Sequence, residues 1–229
     1  MYTTRKMSDI TETPEPVRRR IASTQPSKIR GRNLIIRVID FRAEVTPHRL
    51  FTSLANTSNP RDGFIDVSYG QLRQAVDSMA YWLDHQVGHS QDCHPLAWAG
   101  PPTDFRYILL ALAVMKTGHQ IYFPSPRNSI DAHVTLLEQC GCDVFLHPEE
   151  MVLPFLSAVL ERRSMKAVKL PRLETFLHLH NGLKAPERCY EYSNTFDNAR
   201  HKPCLILHTS GSTGGKSSMR TYRCLADRD

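Results

Sequence analysis

Thr209-Ser210-Gly211-Ser212-Thr213-Gly214-Gly215-Lys216 gathers more groups suited to holding an anion than any other stretch of this chain. Four hydroxyls, on Thr209, Ser210, Ser212 and Thr213, can each donate to a phosphate oxygen. Three glycines, Gly211, Gly214 and Gly215, let backbone N–H groups approach closely and admit positive φ. Lys216 closes the loop with a compact positive charge. Immediately before it, Cys204-Leu205-Ile206-Leu207-His208 is a short apolar run that reads as a buried strand. Strand, hydroxyl-rich glycine loop and lysine in this order form a cradle for nucleotide phosphates. A plain surface turn needs one or two glycines, and not three set among four hydroxyls.

Two kinds of cradle compete. The Walker loop, G-x-x-x-x-G-K-[ST], fits at Gly215-Lys216-Ser217 but meets Ser210 where its first glycine belongs. It also requires a following helix and later strands carrying a magnesium-site acid, and only Ser217 to Asp229 remain. The second pattern is T-S-G-[ST]-T-G-x-P-K, and Thr209 to Gly214 match its first six positions without a break. On these residues the chain resembles the adenylate-forming (AMP-binding) superfamily, which includes acyl-CoA synthetases and peptide-synthetase adenylation domains. It departs in one place: Gly215 is followed at once by Lys216, so the family's proline has no counterpart. Thr221-Tyr222-Arg223-Cys224-Leu225 is similar to the family's T-H-R-x-L segment, displaced by that one residue. Two earlier stretches fit in the right order. Val67-Ser68-Tyr69 through Leu83 resembles the family's TY-x-x-L helix, and Ala113 to Gly118 with Phe123-Pro124 resembles LKAG-x-x-Y-x-P. In style the chain looks most like fungal reductase or peptide-synthetase-like adenylating enzymes.

The resemblance implies an α/β fold with a largely parallel sheet and flanking helices, the N-terminal subdomain of an adenylate-forming enzyme in part. It implies an AMP-dependent ligase reaction in which a carboxylic acid and ATP give an acyl-adenylate and pyrophosphate. ATP and Mg2+ would be the cofactors, and a coenzyme A or carrier-protein thiol the acceptor. Carried over residue by residue, Thr209, Ser210, Gly211, Ser212, Thr213, Gly214 and Gly215 would contact phosphate, and Lys216 would be the catalytic cation. Family segments for adenine, ribose, acyl group and magnesium follow the phosphate loop, so the expectation is a domain truncated after that loop and inactive alone. The alternative is a non-catalytic nucleotide-binding or interaction fragment.

Composition bounds the rest. Hydrophobic residues make up 41% of 229, enough for a globular core. Net charge is +6, much of it in a basic lead over residues 1–32 that is poor in apolar side chains. Such a lead cannot bury enough surface to order itself, and is expected to be disordered. The remainder, residues 33–229, is expected to be the truncated AMP-binding (adenylation) domain. A solvated tail, and no nucleic-acid partner, is the expectation from so localised a charge. No run approaches the roughly 18 apolar residues of a membrane span, and the N-terminus lacks an apolar signal core. A cytoplasmic protein with reduced cysteines is expected, with no membrane partner. Three sets of candidate metal ligands, His85 with His89, His178 with His180 and Cys140 with Cys142, each lack the remaining ligands, so no protein-held metal is expected.

The elements that must position the loop alternate along the chain. A helix is expected over Asn33 to Ala43 and a turn-rich loop over Asn56 to Gly63. Phe64 to Val67 reads as a strand, and Ser68-x-x-Gln71 opens a helix with Leu72, Val76, Met79, Ala80 and Leu83 at helical spacing. Leu96 to Ala99 is a strand, Thr103 and Asp104 cap an apolar helix over Phe105 to Lys116, and Gln120 to Phe123 is the next strand. A helix from about Ser129 to Cys140 leads to a strand over Asp143 to Leu146. Glu149 and Glu150 read as the start of a further helix running to Arg163, followed by a strand at 168–170 and an amphipathic segment over Arg172 to Leu183. Residues 184–202 read as loop. Such alternation favours a parallel sheet, whose ligands bind beyond the strands' carboxyl ends. A loop directly after His208 falls at such an end.

Overall fold

A computed structural model describes residues 32–57, 59–151, 153–177, 189–208 and 219–223. The expected disordered lead falls outside these residues except for Arg32, which pairs with Asp197 at 2.7 Å. In chain order the elements are α1 (Ile35–Val45), β1 (Leu50–Ala55), β2 (Phe64–Ser68), α2 (Tyr69–Val87), β3 (Pro95–Trp98), α3 (Arg106–Thr117), β4 (Gln120–Tyr122) and α4 (Ile130–Gln139). They continue with β5 (Val144–Pro148), α5 (Pro154–Arg162), β6 (Lys166–Leu170), α6 (Leu173–Phe176), α7 (Phe196–Ala199), β7 (Pro203–His208) and β8 (Met219–Arg223).

β1 and β2 form an antiparallel hairpin, and the other six strands make one sheet in the order β6-β5-β3-β4-β7-β8. Its first five strands are parallel, and β8 runs antiparallel against β7 at one edge. Period-two alternation explains why these strands read as continuous apolar runs: both faces are covered. Leu96, Trp98, Ile121, Phe123, Val144 and Leu146 face one core with α1, α2 and α3. Ala97, Tyr122, Phe145 and Ile206 face a second core, closed by Leu136 and Leu137 of α4 and Leu156 and Val159 of α5.

Local rules set most boundaries. Ser68 Oγ accepts from the Gln71 N–H at 3.3 Å while Gln71 Oε1 accepts from the Ser68 N–H at 2.9 Å, the reciprocal cap expected for α2. The Arg106 N–H donates to Asp104 Oδ1 at 2.9 Å and opens α3. α3 ends at Gly118, whose φ is 75°; a Cβ there would stand 2.2 Å from the Ser90 carbonyl oxygen, so only glycine fits.

Some elements depart from expectation. β1 was not foreseen, because Leu50–Ala55 leaves its apolar side chains largely exposed and is held by pairing with β2. α5 begins at Pro154 and not at Glu149, since the Glu149 N–H donates to the Leu170 carbonyl and proline is suited to the first helical turn. Of the amphipathic segment expected over 172–183, Leu173–Phe176 is a short helix, and residues from 178 lie outside the description. Phe196–Ala199 is a single capped turn inside a stretch expected to be loop.

α1, α2 and α3 meet at a buried ion cluster. The Lys116 ammonium lies 2.6 Å from Asp77 and 3.2 Å from Asp40, with side-chain exposures of 2%, 3% and 13%. Burial pushes the Asp77 carboxyl above its ordinary range, opposed by the ammonium beside it. Lys116→Met should lower unfolding free energy by about 3–5 kcal/mol, because it strands buried carboxylates. Lys116→Met/Asp77→Leu should recover most of that loss in urea titrations.

His119 generates a pH dependence. Burial, reinforced by His94 and His89, lowers its pKa from 6.5 to about 4. Stability from keeping it neutral is present above pH 6.5 and is lost as pH falls toward 4, since the unfolded chain binds the proton first. His119→Gln should flatten the acid limb of a urea-midpoint profile over that window, by up to about 1.4 kcal/mol per pH unit.

Candidate functional site

The seven residues expected to contact phosphate, Thr209, Ser210, Gly211, Ser212, Thr213, Gly214 and Gly215, and the expected catalytic cation, Lys216, lie outside the described residues. Their attachment points are well defined. β7 runs parallel to β4, with Ile121 beside Leu205 and Tyr122 beside Ile206. The chain leaves β7 at His208 and re-enters the sheet at Met219, its direct partner in the β7–β8 ladder. Residues 209–218 are therefore tethered at both ends to the carboxyl edge of the parallel strands, where ligands bind in open α/β sheets. Thr221, Tyr222 and Arg223, noted above for their family likeness, lie in β8 opposite Ile206, Leu205 and Pro203.

His208 is a functional candidate that the motif reading passed over. Its Nε2 accepts from the Ser125 backbone N–H at 3.0 Å, so that nitrogen carries no proton and the neutral ring holds its hydrogen on Nδ1. Asn128 Nδ2 also reaches Nε2, at 3.2 Å. Ser125 and Asn128 belong to the connection between β4 and α4. That connection is itself tightened: the Asn128 N–H donates to the Ser125 carbonyl at 3.1 Å, and Ser129 Oγ caps α4 by accepting from the Ala132 N–H at 3.2 Å. The Tyr122 ring lies 6.0 Å from that of His208. His208 is thus held by the connection that follows the neighbouring strand, just before a ten-residue helix whose amino end carries partial positive charge. The signal for this in the sequence was a polar ring ending an apolar strand, one residue before the loop.

A second polar site lies further along the same edge. A cavity of about 340 Å³ is lined by Asp104, Arg106, Glu150, Arg172, Leu173 and Glu174, on the loops after β3, β5 and β6. Arg106 is spent on protein groups. It bonds Asp104 at 2.6 Å, the Pro171 carbonyl at 2.9 Å and the Glu150 carboxylate, so it closes three loops together and offers no donor to an incoming anion. Burial would lower its pKa, but the bonds to Asp104 and Glu150 outweigh that and raise it. β4 separates this cavity from the β7 edge in the sheet order, and His208 does not line it.

The histidines considered above as candidate metal ligands have other partners where they are described. His85 Nδ1 meets Gln86, His89 meets Tyr190, and His178 with His180 lie outside the described residues. Among the described residues no group of three or more His, Cys, Asp or Glu side chains could hold a metal ion, and no helix is long and apolar enough to cross a membrane.

A mostly parallel α/β sheet whose strands end along one edge defines the class of open α/β proteins that bind ligands there, and past His208 the sequence is rich in hydroxyls and glycines. Within that class the assignment is specific: residues 40–217 match the AMP-binding enzyme family, and the chain belongs to it. Relatives include an isocyanide synthase–NRPS hybrid from Aspergillus fumigatus, 34% identical over 185 residues, which cover 80% of this chain and 12% of the relative. A carboxylic acid reductase from Neurospora crassa is 31% identical over 194 residues, covering 84% of this chain and 18% of the reductase. Among solved structures, the N-terminal subdomain of Klebsiella oxytoca NpsA in complex with 3-hydroxybenzoyl-AMSN shares the fold at a TM-score of 0.56 and 16% identity, over 82% of this chain and 40% of that one. The chain thus spans less than a fifth of the length of the curated relatives it matches.

The anchoring of His208 can be tested directly. His208→Phe keeps a ring in place but removes the acceptor for the Ser125 N–H. Hydrogen exchange at the Ser125 amide should accelerate by about ten- to a hundredfold, with the rest of the sheet unchanged.

Proposed function

We propose that this chain supplies the phosphate-holding part of an ATP-dependent acid-activating reaction, in which a carboxylate attacks the α-phosphate of ATP to give an acyl-adenylate and pyrophosphate. The observation that carries the reading is the tethering of residues 209–218 between His208 and Met219 at the carboxyl edge of a parallel sheet. In this reading the hydroxyls of Thr209, Ser210, Ser212 and Thr213 donate to the β- and γ-phosphate oxygens. Gly211, Gly214 and Gly215 let backbone N–H groups join them, and Lys216 adds positive charge where the leaving pyrophosphate gathers negative charge. His208, neutral and locked to Ser125, fixes the direction in which the loop departs.

The described groups that reach His208 at this edge are donors, the Ser125 N–H and Asn128 Nδ2, and the one acidic residue in the first turn of α4, Asp131, is paired with Arg162. Magnesium would arrive with the nucleotide. Bound there, it would share the charge of the departing pyrophosphate. A coenzyme A or carrier-protein thiol is the acceptor this reading implies. Since the chain covers 12% and 18% of its two relatives, the acid and thiol sites are assigned to family sequence beyond the matched span. We place the protein in the cytoplasm, with its cysteines as thiols.

Nucleotide binding with little turnover is the expected combination. Calorimetric titration with magnesium–ATP should show binding that weakens by at least about tenfold in Ser210→Ala/Thr213→Ala, as removal of two charge-assisted hydrogen bonds implies. Equal affinity in the variant would overturn the assignment of the loop. Incubation with ATP and a panel of carboxylic acids should release little pyrophosphate, and robust release would show that the acid site is complete within these residues.

A further inference from the structure

Cys140 and Cys142 stand where α4 gives way to β5, at the amino end of a parallel strand, and are unused by the reading above. Gly141 between them has φ 64°, a left-handed turn. That turn brings the Cys142 N–H back to the Leu137 carbonyl at 3.0 Å and the Gly141 N–H to the Glu138 carbonyl at 3.0 Å. Two Cα atoms separated by one residue lie at most about 7 Å apart, and a tight turn shortens that span into the range a disulfide bridges. The turn gathers both residues at the Leu137 carbonyl: Cys140 Sγ donates to it at 3.4 Å beside the Cys142 N–H, and Cys142 Sγ donates to the Val144 carbonyl at 3.4 Å. Cys142 is fully buried at 0% exposure, whereas Cys140 is half-buried and within reach of a reagent in solvent.

The surroundings make the two sulfurs unequal. Hydrogen bonding from Cys142, aided by the positive charge of Arg163 and opposed by burial, holds the Cys140 thiol below its ordinary value. Its bond to Cys140 and its burial push the Cys142 thiol up. Arg163 is kept at this turn by a hydrogen bond to the Cys142 carbonyl. Cys140 therefore loses its proton first and is the better nucleophile, with a protonated partner waiting beside it.

We propose that Cys140 and Cys142 form a reversible dithiol–disulfide site, with Cys140 the attacking thiol and Cys142 the resolving one. The oxidant class is a small-molecule disulfide. The Cys140 thiolate attacks one sulfur of glutathione disulfide, forming a mixed disulfide and expelling one glutathione thiolate. Cys142 then gives up its proton to that thiolate, and its sulfur attacks Cys140 Sγ, releasing the second glutathione. Two protein S–H bonds are replaced by one S–S bond, and one glutathione disulfide becomes two glutathiones.

The full chain contains a convenient reporter. Tryptic cleavage after Arg127 and Arg162 yields a peptide, residues 128–162, whose only cysteines are this pair. After exposure of the folded protein to glutathione disulfide, this peptide should become two hydrogens lighter and lose both iodoacetamide labels. Dithiothreitol should restore it. The conversion should run about tenfold ahead of glutathione capture at Cys93 or Cys189, as its thiolate character requires. Cys142→Ser should instead leave glutathione attached at Cys140. Retention of both labels in the wild-type peptide, or glutathione left on Cys140 with Cys142 still reduced, would overturn the proposal, and this readout does not depend on whether the serine variant folds.

Discussion

An ammonium with 2% of its side chain exposed holds the helical layer of this protein together. Lys116 brings Asp77 of α2 and Asp40 of α1 to the inner face of α3, and each of these charges is tolerable inside the core only because the others are there. The cluster fixes which faces of the three helices look inward, and so lets Leu72, Met79, Leu83, Leu109 and Leu110 close over one side of the sheet. Two residues further on, Gly118 makes the turn that only glycine can make beneath the Ser90 carbonyl, and the chain enters β4. The ion cluster and the glycine together decide where β4 lies.

β4 in turn decides where His208 and the residues after it leave the sheet. It is the strand against which β7 aligns in parallel, and the loop that follows it supplies the N–H that seizes the His208 ring. Parallel pairing places the exits of β4 and β7 at the same edge, which is why a residue ending one strand can be held by the loop ending its neighbour. Further along that edge Arg106 performs a related task for β3, β5 and β6. It satisfies two carboxylates and a carbonyl from three loops at once, and is left with nothing to offer a ligand. Two polar clusters on one edge thus play different parts: one consumes its donors in holding the scaffold, the other holds the residue that precedes a stretch rich in donors.

The opposite face of the sheet carries a different kind of chemistry. Between α4, α5 and the strands the core includes Tyr122 and Cys142, and the half-buried Cys140 packs against it. Cys-Gly-Cys attracts notice in the sequence only as an inadequate metal site, because spacing alone compares it with zinc patterns. Only the folded turn shows that both residues gather at the Leu137 carbonyl with unequal exposure.

Local chemistry was enough to mark the reciprocal cap of Ser68 and Gln71, the buried α3 and the alternation that requires a parallel sheet, because each depends on neighbours a few residues apart. The family, too, was legible from Thr209 to Gly214 and two flanking segments, and the match over residues 40–217 agrees. Partners far away in the chain were not legible. Lys116 and Asp40 are 76 residues apart, His208 and Ser125 are 83, and Arg106 and Pro171 are 65. β1 escaped notice because its partner strand, not its own pattern, makes it a strand, and α5 started late because Glu149 was already committed to Leu170 across the sheet. The sequence by itself determined which groups could hold a phosphate and which elements would flank them. Tertiary structure decided which side chains are used up in the scaffold and which are left for chemistry, since burial and hydrogen-bond saturation are properties of surroundings that no stretch of chain carries alone.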